Sequence, residues 1–130
     1  MDSLREELLA AEKVLKTFQQ LLKTGDHRND LREATVQRFG FTFDVCWKIG
    51  QQYLLEKEGV QKDLPEDVFC AGLVNNLLNA EETDVALQMV SDRELAVHIY
   101  NEDLVHTIYD HLPSYEKLLS KWLRRIKHRI

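Results

Sequence analysis

Arg93, His98 and Tyr100 stand in the stretch DRELAVHIYNED, residues 92–103, with the spacing R-x4-H-x-Y. A histidine takes or gives a proton near neutral pH, and an arginine holds a phosphate through two parallel hydrogen bonds. Together they suit metal-independent cleavage of RNA. His98 would act on the 2′-hydroxyl or the leaving oxygen while Arg93 stabilised charge on the phosphorus. In the plain alternative all three residues are structural. Arg93 then pairs with Asp92 or Glu94, His98 is a satisfied interfacial histidine, and Tyr100 packs against the last helix. Spacing alone leaves both readings open.

Helix geometry limits how the three can meet. On one unbroken helix Arg93 and Tyr100, seven apart, share a face, whereas His98, five from Arg93, points well away from it. They converge only if the helix breaks. Asn101 supplies the break, because an N-cap residue starting the next helix puts His98 and Tyr100 at a bend where side chains can turn inward.

The elements that must position these residues all read as helices. Leu4, Leu8, Ala11, Leu15, Phe18 and Leu22 fall at alternating spacings of four and three, and Val14 and Leu21 widen the stripe of a helix ending near Gly25. TGDHRND makes a turn. A second helix runs from about Asp30 to Lys57, stops at Gly59, and presents Val36, Phe39, Phe43, Cys46, Gly50 and Tyr53 on one apolar face. It also carries Phe41, Val45 and Ile49 on the opposite side and Trp47 and Leu54 between, leaving a polar strip at Gln37, Asp44, Lys48 and Gln51. A helix apolar nearly all round needs partners on several sides, so a second copy of the chain is expected along it, as a homodimer.

VQKDLPEDVFCAGLV reads as a loop and a short helix, with Pro65 in the first turn, where its missing N–H costs nothing. A further loop, NAEETD, leads into the helix of the R-x4-H-x-Y motif. From Asn101 the last helix carries Leu104, Ile108, Leu112, Tyr115, Leu119, Trp122 and Ile126 on one face, with Pro113 expected to kink or restart it. With no strand pattern and no repeat, residues 1–130 form one all-α domain, an antiparallel up-and-down bundle of four to five helices.

Composition narrows the function classes. Of 130 residues 44% are hydrophobic and 30% charged, and no apolar run reaches the ~20 residues of a membrane-spanning helix. The acidic, amphipathic start MDSLREELLAAEK is unlike a signal peptide, so a cytoplasmic location is expected. Cys46 and Cys70 form no CxxC, sit among apolar neighbours and read as core. The net charge of −5 repels nucleic acid, so RNA would need a local basic patch. The terminal KWLRRIKHRI is such a patch, touching RNA, an acidic partner or a membrane surface; otherwise its cations favour the helix C-terminus and its apolar residues complete the bundle.

His106 and Asp110, at i and i+4, would share a metal only with a third ligand, and none is evident; with His111 they read as a solvated face. Arg28, Arg32 and Arg38 lie near the start of the second helix, where they would add to a phosphate-binding cleft or remain surface charges. No Gly-rich phosphate loop, nucleotidyltransferase Gly-Ser signature or Ser-His-Asp arrangement can be picked out, so neither a metal nor a cofactor is expected and the chain is not expected to be the transferase itself.

VQRFGFTFDVCWKIGQQYL (residues 36–54) resembles the signature helix of the nucleotidyltransferase substrate-binding protein family, and DVFCAGLV and DRELAVHIYNED follow in that family's order and spacing. The resemblance runs to about Leu119. That family is similar to the HEPN superfamily of helical bundles, often encoded beside a minimal nucleotidyltransferase, and the two together resemble a toxin–antitoxin module. The resemblance implies that Arg93 and His98 match the Arg and His of the HEPN ribonuclease motif. Tyr100 matches the tyrosine that the partner enzyme modifies with adenylate, which would block RNA phosphate by bulk and charge. Arg38 lies in the signature helix and is expected to contact substrate. Glu94 stands where an uncharged Asn is common, and its carboxylate would neutralise Arg93. Gly40 replaces an acidic residue often found there, costs roughly 1 kcal/mol in mid-helix, and would permit a close helix approach.

The expected function is therefore a HEPN-like partner of a minimal nucleotidyltransferase, the toxin half, cutting single-stranded RNA through Arg93 and His98. The alternative is a non-catalytic subunit that presents substrate or nucleotide to the transferase, with the same residues as ligand contacts. A purely structural dimerisation module is the third reading.

Overall fold

The structure, a computed structural model, describes residues 3–24, 28–98 and 101–130. Five helices follow one another: α1 (Ser3–Lys23), α2 (Asn29–Glu58), α3 (Pro65–Val74), α4 (Ala80–His98) and α5 (Glu102–His128), and the described residues contain no strand. The all-α bundle read from the sequence is the observed fold. No helix among the described residues is long and apolar enough to cross a membrane.

Local chemistry accounts for the helix ends. Gly59 closes α2 in the left-handed region (φ 69°), where an L side chain is disfavoured, and its N–H returns to the Leu54 carbonyl. Pro65 opens α3. The start of α4 departs from the sequence reading: NAEETD is not a loop but the helix's cap and first turn. The Asn79 side chain accepts from the Glu82 N–H (2.7 Å), and the Glu82 carboxylate accepts from the Asn79 N–H (3.0 Å). This reciprocal capping box is written in the sequence as N-A-E-E. Nor does Pro113 restart α5, which continues through it as one element. Leu112 and Tyr115 beside it are buried, and their packing offsets the ~3 kcal/mol that an interior proline costs.

The stripe on α1 buries Leu4, Leu8, Ala11, Leu15 and Phe18, and the α5 stripe buries Ile108, Leu112, Tyr115, Leu119, Trp122 and Ile126. Between them runs α2, in contact with each of the other four helices. That arrangement narrows the argument for a second copy to what the single chain leaves open. Ile49 and Leu54, assigned outside the first apolar face, are buried within the single chain. Phe41 remains about half exposed, and Val45 and Trp47 are half-buried.

Trp122 sits where α2, α3 and α5 meet. A Cβ at Gly50 would lie 2.1 Å from its ring, and one at Gly72 would lie 2.9 Å from it, so two glycines form the slot for this indole. Its N–H donates to the Cys46 carbonyl at 3.0 Å. The rest of the basic tail is largely tied down: Arg125 clamps Glu82 (2.7 and 3.0 Å) and the Leu77 carbonyl, and Arg129 donates to the Asn75 and Asn76 carbonyls. Arg5 donates to the Ile130 carbonyl. Of the two cysteines read as core only Cys46 is buried; Cys70 is exposed. α3 buries Val68, Phe69, Ala71 and Gly72, and position 70 falls on the opposite side of the helix.

Candidate functional site

α4 runs unbroken through Arg93 to His98, its last residue, and Asn101 caps α5 by accepting from the N–H groups of Asp103 (2.9 Å) and Leu104 (3.3 Å). The break between the two helices falls where Asn101 predicts it. Tyr100 lies outside the described residues. Arg93 and His98, five residues apart on a regular helix, leave it about 140° apart. Arg93 turns towards α2, while His98 is exposed.

The partner of Arg93 is neither Asp92 nor Glu94. Its Nη2 donates to Asp44 Oδ2 at 2.9 Å and its Nε lies 3.5 Å from Oδ1, so Asp44 takes one edge of the guanidinium side-on. Both side chains remain partly open, 28% and 39% exposed. The guanidinium rests on Gly40, where a Cβ would lie 2.3 Å from Nη1 and 2.6 Å from Cζ. Gly40 thus makes room for a side chain of α4 rather than for its backbone. Glu94, one position round the helix, is exposed, and the neutralising carboxylate beside Arg93 comes from Asp44 instead.

Arg93 borders a cleft between α2, α4 and α5 whose walls are apolar at Val36, Ala96 and Ile108 and polar at Glu33 and Gln37. At about 70 Å³ the cleft has room for a small group. Drug-sized ligands fill pockets of roughly 300–1,000 Å³, so the cleft is too small to enclose one.

Other sequence candidates are placed apart. The Arg38 guanidinium stands 5.1 Å from the Phe41 ring, on the outer side of α2, and its Nε is buried without a hydrogen-bond partner. Arg32 reaches His106 (Nη1 to Nε2 3.1 Å) and stands over Tyr109, which places a cation beside His106. Arg28 is exposed. Among the described residues no group of three or more His, Cys, Asp or Glu is arranged to hold a metal ion.

One cluster was missed by sequence reasoning. Asp92, almost fully buried, accepts from the Tyr115 hydroxyl and lies 2.8 Å from His111 Nδ1. Burial, and then the Asp92 carboxylate, pushes the Tyr115 hydroxyl well above its ordinary pKa, so it stays a donor. The cluster ties α4 to α5 one residue before Arg93. His111 and Tyr115 at i and i+4 were the visible half of the signal; Asp92 is joined to them only by folding.

Residues 6–128 match the family described as nucleotidyltransferase substrate binding protein like. The chain belongs to this family. A protein of Thermus thermophilus with a solved structure is 42% identical to this family member, covering 89% of this chain and 98% of its own, with a TM-score of 0.85. A tri-AMPylated Shewanella oneidensis HEPN toxin, solved in complex with MNT antitoxin, superposes with a TM-score of 0.75 at 20% identity, over 98% of this chain and 99% of its own. A mutant of the toxin–antitoxin MntA-HpeT gives 0.74 at 20% identity with the same coverage. At such identities the likeness establishes a shared fold, that of HEPN-type helical proteins. None of the curated proteins matches.

Proposed function

We propose that this protein is the HEPN-like partner of a minimal nucleotidyltransferase and the toxin half of the pair, a metal-independent ribonuclease that cuts single-stranded RNA through Arg93 and His98. The observation that carries the reading is the seating of Arg93. It is held on Gly40 by Asp44 at the rim of a cleft, one and a half turns before an exposed histidine at the end of the same helix. Asp44 engages the Nε and Nη2 edge, and the remaining guanidinium hydrogens are available to a phosphate oxygen. His98 is exposed at the end of α4, and an imidazole is the side chain suited to general acid or base work.

One chain sends the two side chains in different directions, so a complete site calls for a homodimer in which two copies supply acid and base across the two-fold axis. Exposed Phe41 on α2 and Val97, beside His98, give that contact an apolar surface. Tyr100, two residues past His98, is the residue the partner enzyme would adenylate, adding bulk and negative charge where RNA phosphate enters. The AMPylated state of the structurally similar Shewanella toxin supports this assignment. The chain acts as one domain, in the cytoplasm, with the transferase as antitoxin.

A second reading has a specific observation in its favour. Asp44 already offsets the charge of Arg93, as suits a subunit that binds a substrate or nucleotide for the transferase without cutting it. The test is cleavage of labelled single-stranded RNA in EDTA by wild type, Arg93→Ala and His98→Ala, each shown folded by circular dichroism. Cleavage lost in both variants supports the nuclease. No cleavage by wild type rejects it in favour of the binding subunit.

A further inference from the structure

Residues 117–130 carry six Lys and Arg and no Asp or Glu, in a chain whose net charge is −5. Four of these cations are engaged within the fold: Arg125 and Lys121 with Glu82, Arg129 with two carbonyls, and Lys127 with Glu12. Arg124 has no hydrogen bond or ion pair among the described residues, and neither does Lys16 on α1. Both line a groove of about 610 Å³ between α1 and α5, together with Lys127 and His128. The carboxylate that lines the groove, Glu12, is already occupied by Lys127 at 3.3 Å.

We infer that this groove binds the phosphate backbone of a single nucleic-acid strand, as a docking site remote from the cleft beside Arg93. The inference deepens the ribonuclease reading and rests on it for the strand being substrate. A protein partner is disfavoured by the groove's own surface. Its apolar residues, Leu15 and Leu123, are buried beneath it, and it offers no exposed aromatic or aliphatic anchor around which a protein interface could form. With no Phe, Tyr or Trp among its lining residues the groove offers little base stacking, so recognition is of phosphate and independent of sequence. An acidic molecule with one basic trough concentrates its favourable field for a polyanion there. Arg124 lies about 35 Å along α5 from Asn101, so a strand of roughly ten nucleotides at ~3.4 Å each connects groove and cleft.

The test separates docking from cleavage by using a labelled single-stranded oligodeoxynucleotide of roughly 14 residues, which has no 2′-hydroxyl and is not cut by a mechanism that needs one. Anisotropy titrations across a salt series give the slope of log K against log salt. Replacing two phosphate contacts, in Lys16→Ala with Arg124→Ala, should flatten that slope by about 1.4 and weaken binding about tenfold at low salt. Lys57→Ala with Lys62→Ala, two exposed lysines elsewhere, should leave the slope in place. The inference is overturned if the groove variant keeps the wild-type slope, if the control pair flattens it equally, or if wild type binds no strand at low salt. A groove variant that loses the transferase but keeps the oligonucleotide also overturns it, in favour of an acidic partner. Groove-dependent binding without any RNA cleavage would leave the docking site standing and reject only the nuclease.

Discussion

Gly40→Ala separates stability from function at the candidate site. In the middle of α2 an alanine gains about 1 kcal/mol of helix propensity over glycine. Against that gain, the new Cβ would stand 2.3 Å from Arg93 Nη1, and the three nearest atoms all belong to the Arg93 guanidinium. This is the far end of a flexible, partly exposed side chain, so it moves at small cost and gives up Asp44. An ion pair that open contributes about 0.2–1 kcal/mol, which leaves the variant between unchanged and about 1 kcal/mol more stable, a rise in Tm of up to about 4 °C. On the proposed ribonuclease reading, RNA cleavage should nevertheless fall about 100-fold, because a group proposed to hold phosphate, once displaced by an ångström or more, no longer meets its target. In an Arg93→Ala background the clash disappears, and Gly40→Ala should contribute its full ~1 kcal/mol. Thermal melts of the four proteins of this cycle, with cleavage assays on the two that retain Arg93, give the answer. Destabilisation by more than about 1 kcal/mol in both backgrounds would show that the glycine serves backbone packing, and the argument from Arg93 would be wrong.

Gly50→Ala should behave in the opposite way, because the neighbour is Trp122, fully buried and unable to move aside; overpacking of about 1–3 kcal/mol should lower Tm by several degrees, and an unchanged melt would contradict the tight slot. The Arg125 guanidinium holds the Glu82 carboxyl below its ordinary range, so this pair contributes stability above about pH 4.3 that is lost as pH falls through the depressed value. The stability gap between wild type and Glu82→Gln in urea titrations should hold from pH 7 to pH 5 and narrow towards pH 3; a gap that widens in acid would refute the linkage. A thiol reagent should label the exposed Cys70 in the native protein and reach Cys46, buried with its thiol pushed up to about 12, only after unfolding; two rapid equivalents would mean that α2 is not packed as described.

Much of the fold is legible in the sequence because it follows from spacing and a few punctuating residues. The stripes of α1 and α5, the stop at Gly59, the start at Pro65 and the cap at Asn101 depend on chemistry within a turn or two of chain. The features that differ depend on what else is nearby. Position 70 reads as core from its apolar neighbours in sequence, although helical geometry turns it outward. Proline at 113 would by itself interrupt a helix that buried neighbours hold together. The apolar girth of α2 is taken up largely within one chain, because short connections let the other four helices wrap around it.

At the candidate site the division is sharper. The sequence alone determined the helix break after His98, the divergence of Arg93 and His98 on one helix and the presence there of an imidazole and a guanidinium, since all follow from residue type and 3.6 residues per turn. Only the tertiary structure decided that Asp44, 49 residues earlier, holds Arg93, that Gly40 gives it a place to lie, and that Asp92 meets His111 and Tyr115. Such pairings depend on the rotation of each helix about its own axis. That rotation is set by which apolar faces the whole bundle buries together, a balance no single helix carries in its own sequence.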